Sequence, residues 1–255
     1  MDAEGIRRLV AAAGFIFRGG GEHHWKGETP PIPPEAGEIV AVRIEHVLRS
    51  TPVLRGLAGR EAFVITRRAD AVRQSRSLIL FTECISLGQQ LLLREIDHVE
   101  ASDQTSREVA EAIGEEDERP LRERIAGAEL IVTGDVAESE PTESARSPKG
   151  EHDPILQLAR VVVKSVLKGR KPAGKLEVLF ASSIDIAWFK SPKLHPGASG
   201  IFLLRRAREN EFADEAPPTA FQATDPLDFL PMERIAEVEG MLGEGRGGRR
   251  NDRQR

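Results

Sequence analysis

Two apolar patterns alternate along the chain. Ile6-Arg-Arg-Leu-Val-Ala-Ala-Ala13 and Leu121-Arg-Glu-Arg-Ile-Ala-Gly-Ala128 carry apolar residues at helical spacing, and each leads into a denser stretch that predicts a strand, Phe15–Phe17 and Leu130–Val136. Polar loops follow, Gly20–Gly37 and Glu138–Pro154. Paired β-rich runs come next, Ile39–Leu48 with Arg60–Thr66 and Leu156–Leu167 with Lys175–Ala181, each pair joined through a Gly-containing turn. After the loops Arg68–Arg76 and Ser183–Gly197, further strands are predicted at Leu78–Phe81 and Ile201–Leu204. Gln90–Ile96 and the shorter Ala220-Phe221-Gln222 complete the strands, and helices at Ser106–Ile113 and Pro231–Leu242 close the two halves. Val161-Val-Val and Leu91-Leu-Leu are continuous rather than alternating, which predicts strands buried on both faces or covered by a helix.

The same elements in the same order suggest an internal duplication. Ile6–Gly19 lies over Leu121–Gly134 without a gap, with Arg7/Arg122, Ala11/Ala126, Ala13/Ala128, Ile16/Ile131 and Gly19/Gly134 identical. Val42–Ser50 lies over Val161–Gly169, Ala58–Ile65 over Ala173–Phe180, and Ser77–Thr82 over Ser199–Leu204. The trailing helices match as well, Val109-Ala-Glu111 over Ile235-Ala-Glu237. Collinear blocks of this kind imply two repeats, 1–118 and 119–242, followed by a Gly/Arg-rich tail, 243–255, whose composition predicts disorder. The expected fold is mainly β (α+β): two tandem small antiparallel barrels, each flanked by short helices.

The second copy carries a resemblance. Ala128-Glu-Leu-Ile-Val-Thr-Gly-Asp-Val-Ala, Ala159-Arg-Val-Val-Val-Lys-Ser-Val-Leu-Lys-Gly169 and Leu194-His-Pro-Gly-Ala-Ser-Gly-Ile-Phe-Leu-Leu204 resemble OB-fold domains of the netrin-like and metalloproteinase-inhibitor-like type, and the first copy resembles them more faintly. The resemblance implies an OB-like barrel that binds a partner. It carries over no catalytic residue, and the paired cysteines of the secreted members have no counterpart here.

Composition narrows the choices. Of 255 residues, 40% are hydrophobic and 30% charged, with a net charge of −5, so nothing global draws the chain to nucleic acid. Cys84 is the only cysteine, which excludes an internal disulfide and a four-cysteine metal site; beside apolar residues it reads as a core side chain. Arg7-Arg8 ahead of Leu9–Phe17 imitates a secretion signal, but Asp2 and Glu4 are wrong for one, and the expected location is cytoplasmic, away from any membrane.

Candidate chemistry is sparse. His23 and His24, with His46 or His98, could contribute metal ligands for a hydrolase, yet adjacent residues of an extended chain point apart. Asp97-His98 and Glu95 could form an acid–base pair, but no Ser nucleophile in a strained turn accompanies them, and they read as a strand edge. Gly19-Gly20-Gly21 lacks the spacing of a phosphate loop. Lys164, Lys168, Arg170, Lys171 and Lys175 form a basic hairpin that could hold single-stranded nucleic acid, as could Arg43, Arg49, Arg55 and Arg60 in the first copy, with Arg67, Arg68, Arg73 and Arg76 beyond. Aromatics for base stacking are only 5% with no Tyr, and the acidic run Glu108–Glu118 opposes the attraction. Trp188, in Ile184-Asp-Ile-Ala-Trp-Phe-Lys190, sits either at a protein-binding tip or folded back against a barrel end. The expectation is a non-enzymatic protein-interaction or assembly module without cofactors, with an interaction surface drawn from Lys164, Lys168, Arg170, Lys171, Lys175, Arg67, Arg68 and Trp188. Single-stranded nucleic-acid binding and metal-dependent hydrolysis are the alternatives.

Overall fold

The computed structural model describes residues 1–21, 37–54, 56–87, 90–142, 154–170, 172–183, 185–207, 217 and 219–251. The chain divides into two compact units, Met1–Arg119 and Pro120–Arg255. The first begins with helix α1 (Ala3–Ala12), started by Asp2, whose carboxylate accepts the Gly5 amide. Strands β1 (Phe15–Gly21), β2 (Glu38–Arg49) and β3 (Glu61–Thr66), helix α2 (Ala69–Gln74), and strands β4 (Leu78–Leu87) and β5 (Leu91–Glu100) follow. Helix α3 (Asp103–Gly127) crosses the division. The second unit contains β6 (Leu130–Pro141), β7 (Leu156–Lys168), β8 (Leu176–Ala181), β9 (Ser199–Arg206), β10 (Phe221–Ala223), β11 (Phe229–Leu230) and α4 (Ile235–Asn251).

Each unit closes a five-stranded barrel. In the first the order is β1-β2-β3-β5-β4, with β4 returning to β1 and β3 parallel to β5. In the second, β6-β7-β8-β10-β9 repeats that order, β8 is parallel to β10, β10 pairs with β9, and β11 adds to the outside of β9. Closure with a parallel third and fifth strand is the OB-like arrangement, now present twice. Alternate residues fill each interior, among them Phe15, Phe17, Val42, Val64 and Leu80 in the first unit and Val132, Val161, Val178, Phe180 and Phe202 in the second. The opposite faces of β1/β4 and β6/β9 lie under helices: Ile16, Ile79 and Phe81 pack with Ile6, Val10 and Val109, while Ile131, Ile201 and Leu203 pack with Leu121, Ile125 and Val238.

The repeats agree down to their irregularities. Along β1, Ile16, Phe17, Arg18 and Gly19 face Arg49, Val47, His46 and Ile44 of β2, with register shifts after Ile16 and after Arg18. Along β6, Ile131, Val132, Thr133 and Gly134 face Lys168, Val166, Ser165 and Val163 of β7, with shifts after Ile131 and after Thr133. These are the equivalences of the sequence alignment. The third block differs by one residue. Val42 faces Ala62 and Val161 faces Leu176, so Ala62 corresponds to Leu176, where the sequence had set it over Glu177. A one-residue slip would turn Glu177 into the barrel, and burial forbids it.

Several elements depart from the sequence reading. The two helices expected around residue 120 are one, with Pro120 inside it. Helix α2 occupies what read as a loop; Ala69 and Val72 close the barrel interior from it. Helix α4 runs on to Asn251, past Leu242 and through part of the Gly/Arg-rich segment expected to be disordered, while 252–255 lie outside the described residues. Cys84 is exposed on β4 instead of packed in the core. No helix among the described residues is long and apolar enough to cross a membrane.

Candidate functional site

The basic hairpins form the first group to place, and much of their charge has local employment. Lys168 donates to the carbonyls of Ile125 and Ala126, both at 2.8 Å, at the end of α3. Arg49, its register equivalent, donates to the carbonyl of Val10 at 2.8 Å at the end of α1, and its other nitrogen lies 3.1 Å from Asp117. Each copy thus uses a β2 or β7 cation to satisfy the last carbonyls of the helix leading into its barrel. Lys168→Gln is expected to cost about 1 kcal/mol of stability, read by denaturant unfolding, because those carbonyls lose a charged donor.

Lys164 is paired with Asp135 at 2.7 Å, and Arg160 bonds Glu138 and reaches Glu140 at 3.0 Å. Those hydrogen bonds, from Lys164 to Asp135 and from Arg160 to Glu138, hold both carboxyls below their ordinary pKa. Arg170 and Lys175 are exposed in the β7–β8 turn, and Lys171 and Arg55 lie outside the described residues. In the first unit Arg67 is exposed, whereas Arg68 is bound to Glu95 and Asp97. The residues expected to form one interaction surface are therefore spread over distinct local roles.

Trp188 is half-buried, folded back on the outer face of β7 and β8 against Leu156, Leu179, Ala181, Ala207 and Ala220. Its neighbours point away: Ile186 is 90% exposed and Phe189 65%. The sequence reading had treated tip and fold-back as alternatives for Trp188; the structure divides the two roles among three side chains.

Backbone and polar groups fix this loop. The Trp188 amide donates to the Asp185 carbonyl at 2.9 Å, and the Ser191 amide to the Trp188 carbonyl at 3.0 Å. The Asp185 carboxylate accepts the Ala187 amide, and the Ser191 hydroxyl donates to the Thr224 carbonyl. Beneath the turn, Lys193 Nζ donates to the carbonyls of Ala181, Ser183 and Trp188 at 2.7, 2.9 and 2.9 Å. Burial lowers the Lys193 pKa, and the three carbonyl dipoles oppose that loss of hydration. Sequence reasoning missed Lys193, because only the folded turn brings three carbonyls to one ammonium.

The outer faces of the barrels matter equally. In the first unit Ala41, Phe63, Ile65 and Leu92 are buried on the outer face of β2, β3 and β5. In the second, the corresponding face is the one that Trp188 covers. OB-type barrels present this second- and third-strand face to oligonucleotides. Here part of that face is apolar and buried in both copies, while Arg43 and Glu61 in the first and Val162 in the second remain exposed on it.

Glu95, Asp97 and His98 form a cluster on β5, past the residues that pair with β3 and with β4 alone beside them, and the Glu95 side chain is only 4% exposed. His98 Nδ1 lies 2.5 Å from Glu95 Oε1 and Arg68 Nη2 lies 2.8 Å from the same oxygen. Burial works against the Glu95 carboxylate, yet hydrogen bonds from His98 and Thr66 and the charge of Arg68 hold its pKa below the usual value. His46 is exposed on β2, a strand that does not pair with β5, and it does not join the Glu95, Asp97 and His98 group. His23 and His24 lie outside the described residues.

Fold and surface together define a protein of two tandem OB-like barrels. Comparison of the sequence with known protein families finds no match, and no curated protein matches it either.

Proposed function

We propose that the chain is a non-enzymatic protein-interaction or assembly module of two OB-like barrels, with the turn 185–191 of the second barrel as a contact point. One observation carries the reading: Ile186 and Phe189 are held outward on a turn fixed by Lys193, Ser191 and Asp185. Presenting two large apolar side chains to water is unfavourable by about 1.5–3 kcal/mol each relative to burial, and a pre-ordered turn loses little entropy when a partner covers them. The netrin-like resemblance agrees with a barrel that binds a partner. Nucleic-acid binding gains less support, since Lys164 and Lys168 are engaged locally and part of the oligonucleotide face is apolar and buried.

The test is affinity capture with the full chain, followed by titration of the purified captured protein. Saturable binding that weakens at least about 10-fold in Ile186→Ser/Phe189→Ser is expected. A chain that stays monomeric and captures nothing sensitive to that double substitution would overturn the reading. Binding to single-stranded DNA that falls steeply with salt would support the nucleic-acid alternative instead.

A further inference from the structure

The strongest feature outside that turn lies in the first unit, where β5 bends. Opposite β4, Phe81 faces Asp97 and Thr82 faces Glu95, so Ile96 is an extra residue at a bulge. In a regular strand His98 would point away from both Glu95 and Asp97. The bulge sends Ile96 into the outer apolar layer and turns His98 back beside the two carboxylates. One donor atom from each of Glu95, Asp97 and His98 then lies within 4.8 Å of the other two. Between the two carboxylates sits a cation, the Arg68 guanidinium, bonded through the same Nη2 to Glu95 and Asp97. Arg68 comes from the start of α2 and its side chain is half-exposed, so it can leave by side-chain rotation alone.

We propose that Glu95, Asp97 and His98 constitute a binding site for a divalent transition-metal ion, with the Arg68 guanidinium taking the ion's place in the metal-free form. One imidazole and two carboxylates suit Zn2+ or Co2+ and leave a coordination position open. The Thr66 hydroxyl, bonded to Glu95, orients that carboxylate as an outer-shell partner. Nothing equivalent is assembled among the described residues of the second barrel. The site is independent of the interaction reading, since it lies in the other unit and uses none of the residues of the 185–191 turn.

The experiment is titration of the chelator-treated full chain with Zn2+ by calorimetry and with Co2+ by visible absorption. One equivalent should bind, with a Co2+ spectrum showing nitrogen and oxygen ligation. His98→Ala and His98→Asn should each weaken binding at least about 10-fold, the second variant keeping a hydrogen-bonding side chain beside Glu95. Arg68→Ala should tighten binding by a similar factor, because the competing cation is gone. Circular dichroism of each variant shows that the barrel is intact. Absence of stoichiometric binding in the wild-type chain overturns the proposal, as does binding that a folded His98 variant leaves unchanged or that Arg68→Ala weakens.

Discussion

Arg124→Ala should destabilise the second unit by about 3–5 kcal/mol, the usual consequence of leaving a buried charge without its partner. Asp228 is fully buried and bonded by two guanidinium nitrogens of Arg124, which reaches it from α3. The same carboxylate accepts the amides of Thr224 and Asp225, each at 2.9 Å, fixing the turn between β10 and β11. Burial raises the Asp228 pKa, and the Arg124 bonds and charge oppose that rise without cancelling it. Without Arg124 the pKa climbs further.

A carboxyl whose folded pKa is raised contributes stability below its unfolded value, about 3.9, and loses it as pH rises through the folded value. The deficit of Arg124→Ala should therefore be full at neutral pH and shrink on acidification toward that unfolded value. Denaturant unfolding across this range measures it. Adding Asp228→Asn should recover part of the loss at neutral pH, since the buried charge is then removed. A deficit independent of pH, with no recovery in the double variant, would refute the charge argument.

Gly134→Ala should cost about 1–3 kcal/mol, as overpacking of a closed interior does. The added Cβ would lie 2.6 Å from the Val162 carbonyl oxygen, a backbone atom that cannot step aside without opening the β6–β7 ladder. Gly19→Ala should behave alike, because its Cβ would meet the carbonyl of Arg43, the register equivalent of Val162. Gly174→Ala is the control. A Cβ there meets nothing within 4 Å, so its effect should stay within about 0.5 kcal/mol or be slightly stabilising. Thermal unfolding of the three variants separates close backbone approach from loss of glycine flexibility, and equal effects at all three positions would refute the packing account.

Gly19 also illustrates how the sequence reading went astray. The sequence places Gly20 and Gly21 in a polar loop, yet Gly19–Gly21 end strand β1. Their small size serves the close approach of neighbouring backbone at Arg43, Arg76 and Val72. The periodicity around them was legible because apolar residues at Phe15, Ile16 and Phe17 meet a core on both sides. Helix α2 was not legible, since Ala69–Gln74 is short and gains its place from Ala69 and Val72 filling the barrel end. Strand β11 likewise exists only through its pairing with β9. At the candidate sites, Trp188 was visible in the sequence, but the outward direction of Ile186 and Phe189 and the Lys193 cage were not. The convergence of His98 on Glu95 and Asp97 depends on a bulge that spacing alone contradicts.

What the sequence determined by itself is the duplicated order of helices and strands. Apolar periodicity is a local property, and it survives divergence as long as each copy must bury the same surfaces. Closure of the barrels, the one-residue correction at Ala62 and Leu176, and the partners of Lys168, Arg68 and Lys193 were decided by tertiary structure. Those depend on which backbone and side-chain groups meet across strands far apart in the chain, and a charge takes its role from the neighbours that folding supplies.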